Sequence, residues 1–123
     1  DLARDLANAR RRGIDVKILI DEDQADDKLV KEVLEILQDA KVPVRRVNPA
    51  GVNSGRSGGR RPKFHHKYCV IDGKLLITGS FNWTVLADEE NHENTVFIGH
   101  QKVAALYADK FKEVWENEKI TRE

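Results

Sequence analysis

The first 47 residues alternate between helical and strand-like hydrophobic spacing, and this alternation constrains the fold more than any other feature. Residues 2–12 and 26–40 place apolar side chains on one helical face, whereas residues 14–20 and 42–47 have the short apolar runs of strands. Gly13 follows the first helical segment, where glycine commonly ends a helix. Helix, strand, helix, strand is the order of an α/β protein with parallel strands. We therefore predict an α/β fold with a mixed, mostly parallel sheet flanked by helices.

The second half of the chain departs from this alternation. Residues 48–63 are rich in Gly, Ser, Asn and Arg, which predicts a loop. Asp72-Gly73 separates two short apolar runs at 68–71 and 75–78, which is a strong hairpin signal. Residues 95–98 predict one more strand, and the apolar stripe of residues 101–119 predicts a long helix. At 123 residues the chain, 1–123, has the size of a single domain.

Charge is unevenly distributed along a chain that is neutral overall. Lys and Arg number 21, as do Asp and Glu. No acidic residue lies between Asp39 and Asp72, and that stretch carries eight basic ones: Lys41, Arg45, Arg46, Arg56, Arg60, Arg61, Lys63 and Lys67. A concentrated basic segment favours an anionic partner.

Composition excludes some classes of protein. Cys69 is the single cysteine, so the chain can hold neither a disulfide framework nor a cysteine zinc site. No apolar run approaches the length of a membrane span, and no signal peptide is visible. The chain has no methionine, which indicates that it is processed or a fragment.

The passage from Phe64 to Thr84 carries the most chemistry. Side chains alternate faces along a strand, so His65 and Lys67 should share one face, and the hairpin should return Ser80 and Asn82 toward the same end. An imidazole, an ammonium, a hydroxyl and an amide together suit a tetrahedral anion. Taken singly, each residue has an ordinary structural interpretation as a surface histidine, a solvated lysine or a turn residue.

Six residues stand at a spacing that resembles the HKD signature of the phospholipase D superfamily: His65, Lys67, Asp72, Gly79, Ser80 and Asn82. Residues 9–21 resemble the helix-to-strand segment before that signature, and residues 91–96 resemble the glutamate-bearing segment after it. The closest resemblance is to the single-motif branch, namely the bacterial Nuc-type endonucleases and the mitochondrial Zucchini or cardiolipin hydrolase proteins. Superfamily units normally begin with a strand, a helix and a strand before the segment at Leu2, so we expect N-terminal elements to be missing.

The resemblance implies a role for each polar residue of the signature. His65 would attack phosphorus and form a phosphohistidine, while the matching histidine of a second subunit would protonate the leaving oxygen. Lys67, Ser80 and Asn82 would hold the phosphoryl oxygens. No metal and no cofactor would be needed.

The resemblance also implies roles around the signature. Glu93 would hydrogen-bond His65 and fix its orientation, as a fourth catalytic residue beside His65, Lys67 and Asn82. Asp72 and Gly79 would be structural. Since single-motif members work as homodimers with the site on the two-fold axis, the chain should need a second copy of itself.

The expected substrate is single-stranded nucleic acid, with RNA favoured, cut endonucleolytically. A basic track would run into the site: Arg56, Arg60, Arg61 and Lys63. One alternative is a hydrolase of cardiolipin or another anionic phospholipid, although the sequence shows no apolar rim near the site. Another is an inactive HKD module that only binds anions. A Zucchini-like protein would act in piRNA biogenesis at the mitochondrial outer membrane, facing the cytosol, and would associate with the membrane only through a missing N-terminal anchor.

Overall fold

The computed structural model describes residues 2–54, 62–80, 82 and 92–123. They form two compact units, a first unit of Asp1–Phe64 with Trp115–Glu123 and a second unit of His65–Val114. The elements in chain order are α1 (Leu2–Arg11), β1 (Ile18–Asp21), α2 (Glu22–Ala25), α3 (Lys28–Asp39), β2 (Val44–Val47), β3 (Tyr68–Ile71), β4 (Leu75–Gly79), β5 (Thr95–Ile98), α4 (Gln101–Glu116) and β6 (Thr121–Arg122).

The first unit is a three-stranded sheet with helices packed beside it. Strand β1 runs parallel to β2, and β2 pairs antiparallel with the short β6. Helix α1 packs against α3 through the small side chains of Ala3 and Ala7, which allow the helices to approach closely. Leu34 and Leu37 of α3 complete this core.

Local sequence determines where these helices begin and end. Gly13 adopts a positive φ of 89° after α1. Its N–H donates to the carbonyl of Arg10 (2.9 Å), and the N–H of Ile14 donates to that of Ala9 (3.1 Å), which is the Schellman pattern. At the start of α3, the carboxylate of Asp27 accepts from the N–H groups of Leu29 and Val30, at 2.8 Å and 3.4 Å.

The second unit is an antiparallel meander, β3-β4-β5, with α4 against it. Asp72 and Gly73 both have positive φ, 53° and 63°, and the Lys74 N–H closes their turn by donating to the Ile71 carbonyl over 3.0 Å. Leu76 in the middle strand is fully buried. Tyr68 of β3 meets Tyr107 of α4 edge-to-face, with ring centroids 5.0 Å apart.

The α/β class, the mixed pairing and the flanking helices are confirmed, and the hairpin and β5 lie where they were predicted. The expectation of one mostly parallel sheet is not met, because among the described strands β1–β2 is the single parallel pair and the strands form two sheets. Parallel pairing needs a crossover helix, which α3 supplies, whereas a short turn joins β3 to β4. The helix predicted over residues 26–40 corresponds to α3, and neither α2 nor β6 was predicted. Among the helices of the described ranges, none has the length and apolar character to cross a membrane.

Candidate active site

The candidate site lies where three strand ends of the second unit meet. Tyr68 at the start of β3 pairs with Thr78 near the end of β4, and Gly79 pairs with Thr95 at the start of β5. The residues just outside these pairs therefore come from the same edge of the sheet. They are His65 and Lys67 before β3, Ser80 after β4, and Glu93 and Asn94 before β5.

His65 and Lys67 lie together on the segment that leads into β3. The side chain of His65 is exposed, and that of Lys67 is half-buried. The Lys67 ammonium donates to the backbone carbonyl of His65 over 3.1 Å, while the hydroxyl of Thr78 donates to the carbonyl of Lys67, also over 3.1 Å. The second contact ties this segment to β4, and the first holds the Lys67 ammonium at the backbone of His65.

Ser80 is hydrogen-bonded to the segment that precedes β5. Its hydroxyl donates to the carboxylate of Glu93. Its N–H lies 3.1 Å from the carbonyl oxygen of Asn94 and 3.0 Å from the side-chain Oδ1 of the same residue. The Asn94 N–H in turn donates to the Ser80 hydroxyl oxygen over 3.1 Å. The sequence interpretation assigned Glu93 to His65, whereas the hydrogen bond that the structure gives this carboxylate comes from Ser80.

Gly79 allows the chain segments of this cluster to approach each other. A Cβ atom at this position would lie 2.1 Å from the carbonyl oxygen of Asn94. Only glycine can occupy the position without a backbone shift. Asn94 was missed in the sequence reasoning, and the signal that pointed to it was its place directly after Glu93 in the segment that resembles the superfamily.

The other predicted residues divide between described and undescribed positions. Asn82 is half-buried, and Asp72 is exposed in the β3–β4 turn. Lys63 is exposed and belongs to the first unit. Arg56, Arg60 and Arg61 lie outside the described residues, so the basic track stays a prediction.

Cys69 in β3 is a further nucleophilic side chain close in sequence to the site. Burial raises the pKa of its thiol, which lowers the thiolate fraction at neutral pH. Burial also raises the pKa of the neighbouring Tyr68 phenol, with a further contribution from Tyr107. Cys69 is therefore a poor nucleophile here, and its half-buried place in a strand is that of a small core residue.

Strand β5 presents apolar side chains next to the site. Val96 is 45% exposed and Phe97 is 67% exposed, within three residues of Asn94. No apolar rim was predicted from the sequence, because strand periodicity alone does not distinguish a buried strand from one exposed at an edge of the described sheet.

Comparisons with known proteins agree on one family. A family described as "Cardiolipin synthase, PLD-like domain" matches residues 1–115. "Phospholipase D" of Rickettsia typhi is 40% identical over 102 residues, which is 83% of this chain and 44% of that protein. "Mitochondrial cardiolipin hydrolase" of Mus musculus is 30% identical over 115 residues, covering 94% of this chain and 46% of that protein. The chain thus spans about half the length of these curated relatives.

Solved structures share the fold. Nuc from Salmonella typhimurium, described as a phospholipase D family member, superposes with a TM-score of 0.80 at 27% identity and covers 99% of this chain and 73% of its own. NucT from Helicobacter pylori gives a TM-score of 0.79 at 20% identity, covers 98% of this chain and 73% of its own, and supports the fold alone.

Proposed function

This chain belongs to the phospholipase D superfamily, and from that premise we propose that it is a phosphodiesterase with His65 as the nucleophile. The observation that carries the proposal is that the exposed His65 and the half-buried Lys67 lie at one end of the sheet, where the Lys67 ammonium donates to the backbone carbonyl of His65 over 3.1 Å. Both side chains lie at the sheet edge that also carries Ser80 and Glu93. A nucleophile beside a fixed cation suits attack on a phosphate diester, because the cation offsets the charge that repels the attack.

The proposed reaction proceeds in two balanced steps. A ring nitrogen of neutral His65 forms a bond to phosphorus as the bond to the leaving oxygen breaks, and that oxygen takes a proton from the matching histidine of a second copy. Water then attacks the phosphohistidine, gives a proton back to that second histidine, and releases the phosphomonoester and free His65. Two steps through a covalent intermediate replace one difficult displacement.

Lys67 and Asn82 are the proposed ligands of the phosphoryl oxygens. An ammonium has three N–H donors, and the contact with the His65 carbonyl uses one of them. The remaining donors can bind two oxygens of the diester while the charge stays beside His65. The Asn82 side chain, which is half-buried and two residues beyond Ser80, supplies a neutral amide donor.

The second histidine implies a homodimer, because this chain carries one copy of the signature. A two-fold axis through the site would bring His65 of each copy to opposite sides of one phosphorus atom. Co-expression of wild-type and His65→Ala subunits tests this arrangement. If one site needs both histidines, activity falls as the square of the wild-type fraction, whereas independent sites would give a linear fall.

Single-stranded nucleic acid, with RNA favoured, is the proposed substrate, because the segment before His65 carries Arg56, Arg60, Arg61 and Lys63 without an acidic residue between them. A second candidate, hydrolysis of cardiolipin, is supported by relatives that bear the name mitochondrial cardiolipin hydrolase. The exposed Val96 and Phe97 beside the site also favour a lipid substrate. Those names further support a mitochondrial location.

One assay distinguishes the candidates. The full-length protein is incubated in EDTA with labelled single-stranded RNA, single-stranded DNA or cardiolipin vesicles, beside its His65→Ala variant. His100→Ala is a matched control, since His100 is also an exposed histidine. Nucleic-acid cleavage that His65→Ala abolishes and His100→Ala retains supports the nuclease. Lipid turnover without nucleic-acid cleavage supports the second candidate, and a folded dimer that cleaves neither would overturn the enzymatic proposal in favour of an anion-binding module.

A further inference from the structure

We propose that Ser80, held in place by Asn94, is a positioning residue for the Glu93 carboxylate and not a ligand of the substrate phosphate. The inference rests on the proposed phosphodiesterase function and refines it. It assigns Asn94 a role that neither the signature nor the resemblance gave it.

The hydrogen-bonding capacity of the Ser80 hydroxyl leads to this assignment. A serine hydroxyl has one proton to donate. In the structure that proton is directed to the Glu93 carboxylate. The hydroxyl oxygen also accepts the Asn94 N–H over 3.1 Å, which fixes the side chain in both directions. A phosphoryl oxygen can only accept hydrogen bonds, and this hydroxyl has no second proton to donate to it.

The backbone N–H of Ser80 is also hydrogen-bonded to Asn94. Its N–H is shared between the carbonyl oxygen and the Oδ1 of Asn94, at 3.1 Å and 3.0 Å. Asn94 therefore contacts Ser80 through an N–H donor and two oxygen acceptors. Among the signature residues that the structure describes, Lys67 and Asn82 remain as the proposed donors to a phosphate.

The hydrogen bonds between Ser80 and Asn94, called the clamp below, matter because they hold the partner of Glu93, a carboxylate at the end of the sheet that carries His65. Hydrogen bonds to a charged acceptor are about twice as strong as neutral ones and hold its position. A displacement of about 1 Å in a catalytic group can cost on the order of 100-fold in rate. Loss of the Ser80 hydroxyl should thus lower the rate through Glu93 and leave substrate affinity unchanged.

A double-mutant cycle on the full-length protein tests the assignment. kcat and KM are measured for Ser80→Ala, Glu93→Ala and the double variant, on whichever substrate the wild type cleaves. We expect Ser80→Ala to lower kcat about tenfold at constant KM, to have no further effect in the Glu93→Ala background, and to be rescued by Ser80→Thr, which keeps the hydroxyl. A raised KM at constant kcat, or effects that multiply, would show direct phosphate binding and overturn the proposal.

Asn94 provides the second arm and a readout that does not depend on activity. Asn94→Ala removes one of the two acceptors of the Ser80 N–H, so amide hydrogen exchange at Ser80 should become several-fold faster. The control is Asn53→Ala, at an exposed asparagine of the first unit. Equal exchange rates in both variants would contradict the clamp. If the wild type cleaves no phosphodiester, the proposed function fails on its own, and the exchange experiment still decides whether Asn94 holds Ser80.

Discussion

Replacement of Gly79 by alanine should separate β4 from the segment that carries Glu93. An added Cβ would lie 2.1 Å from the carbonyl oxygen of Asn94, 2.9 Å from its carbonyl carbon and 3.1 Å from the Cα of Thr95. All three are backbone atoms, so no change of rotamer can relieve the overlap. The pairing of Gly79 with Thr95 must shift or break, and the hydrogen bonds between Ser80 and Asn94 must change with it.

The expected loss of stability follows from the kind of contact. Overpacking by one carbon typically costs about 1–3 kcal/mol, and contacts with backbone belong at the upper end. The entropy of unfolding is roughly 2.1 cal/mol/K per residue, so for a cooperative unit of these 123 residues a loss of about 3 kcal/mol lowers the Tm by roughly 12 °C. In a longer cooperative unit the shift is proportionately smaller. Because the affected strand end carries the candidate site, activity should fall as well.

Thermal denaturation of the full-length protein, followed by circular dichroism, measures this loss, and two other glycines provide controls. Gly99 has open space around its Cβ direction, so Gly99→Ala should change the free energy of unfolding by less than about 0.5 kcal/mol. Gly73 also has open space but a φ of +63°, so Gly73→Ala should cost about 1 kcal/mol from the backbone alone. If the Gly79→Ala and Gly99→Ala proteins have the same Tm, the steric argument is refuted.

Further predictions concern packing, capping and the thiol. Leu76→Ala should destabilise by about 2–5 kcal/mol in urea denaturation, because Leu76 is fully buried, whereas Leu106→Ala, at a side chain 69% exposed, should change little. Asp27→Ala should cost about 1 kcal/mol in the same assay, since α3 loses its N-cap, and Glu35→Ala on the same helix serves as the control. Burial raises the pKa of Cys69, so at pH 8 iodoacetamide should alkylate the folded protein more slowly than the urea-unfolded one; equal rates would contradict the burial argument.

Local signals predicted the elements that depend on local physics. The Asp72-Gly73 hairpin follows from the need for positive φ in the turn, and the end of α1 follows from Gly13. What depends on partners far along the chain was not predictable. The strand β6 is two residues long and exists only because Arg46 and Val47 pair with it. Likewise, α2 forms where the side chain of Asp21 caps it, and no apolar period marks so short a helix.

In the candidate site, too, features set by local sequence were predicted, and those set by distant pairing were not. The spacing of the signature identified His65 and Lys67, and strand alternation placed them at one end of the hairpin. The partner of Glu93 could not be found in this way, because the distance between Ser80 and residue 93 depends on the pairing of β4 with β5 across a long intervening segment. Asn94 was missed for the same reason, since most of its contacts to Ser80 are made by backbone atoms that any residue possesses.

Strand register explains why the signature residues can meet at one end of the sheet only at their observed spacing. Tyr68 pairs with Thr78, so Lys67 and Gly79 follow at the same end of the hairpin, and Gly79 pairs in turn with Thr95. One residue added to β4 would turn every later side chain to the opposite face. Ser80 would then point away from Glu93. The absence of a side chain at Gly79 and the hydroxyl of Ser80 thus act together: the first lets the chain before β5 approach, and the second binds the carboxylate that this approach brings within reach.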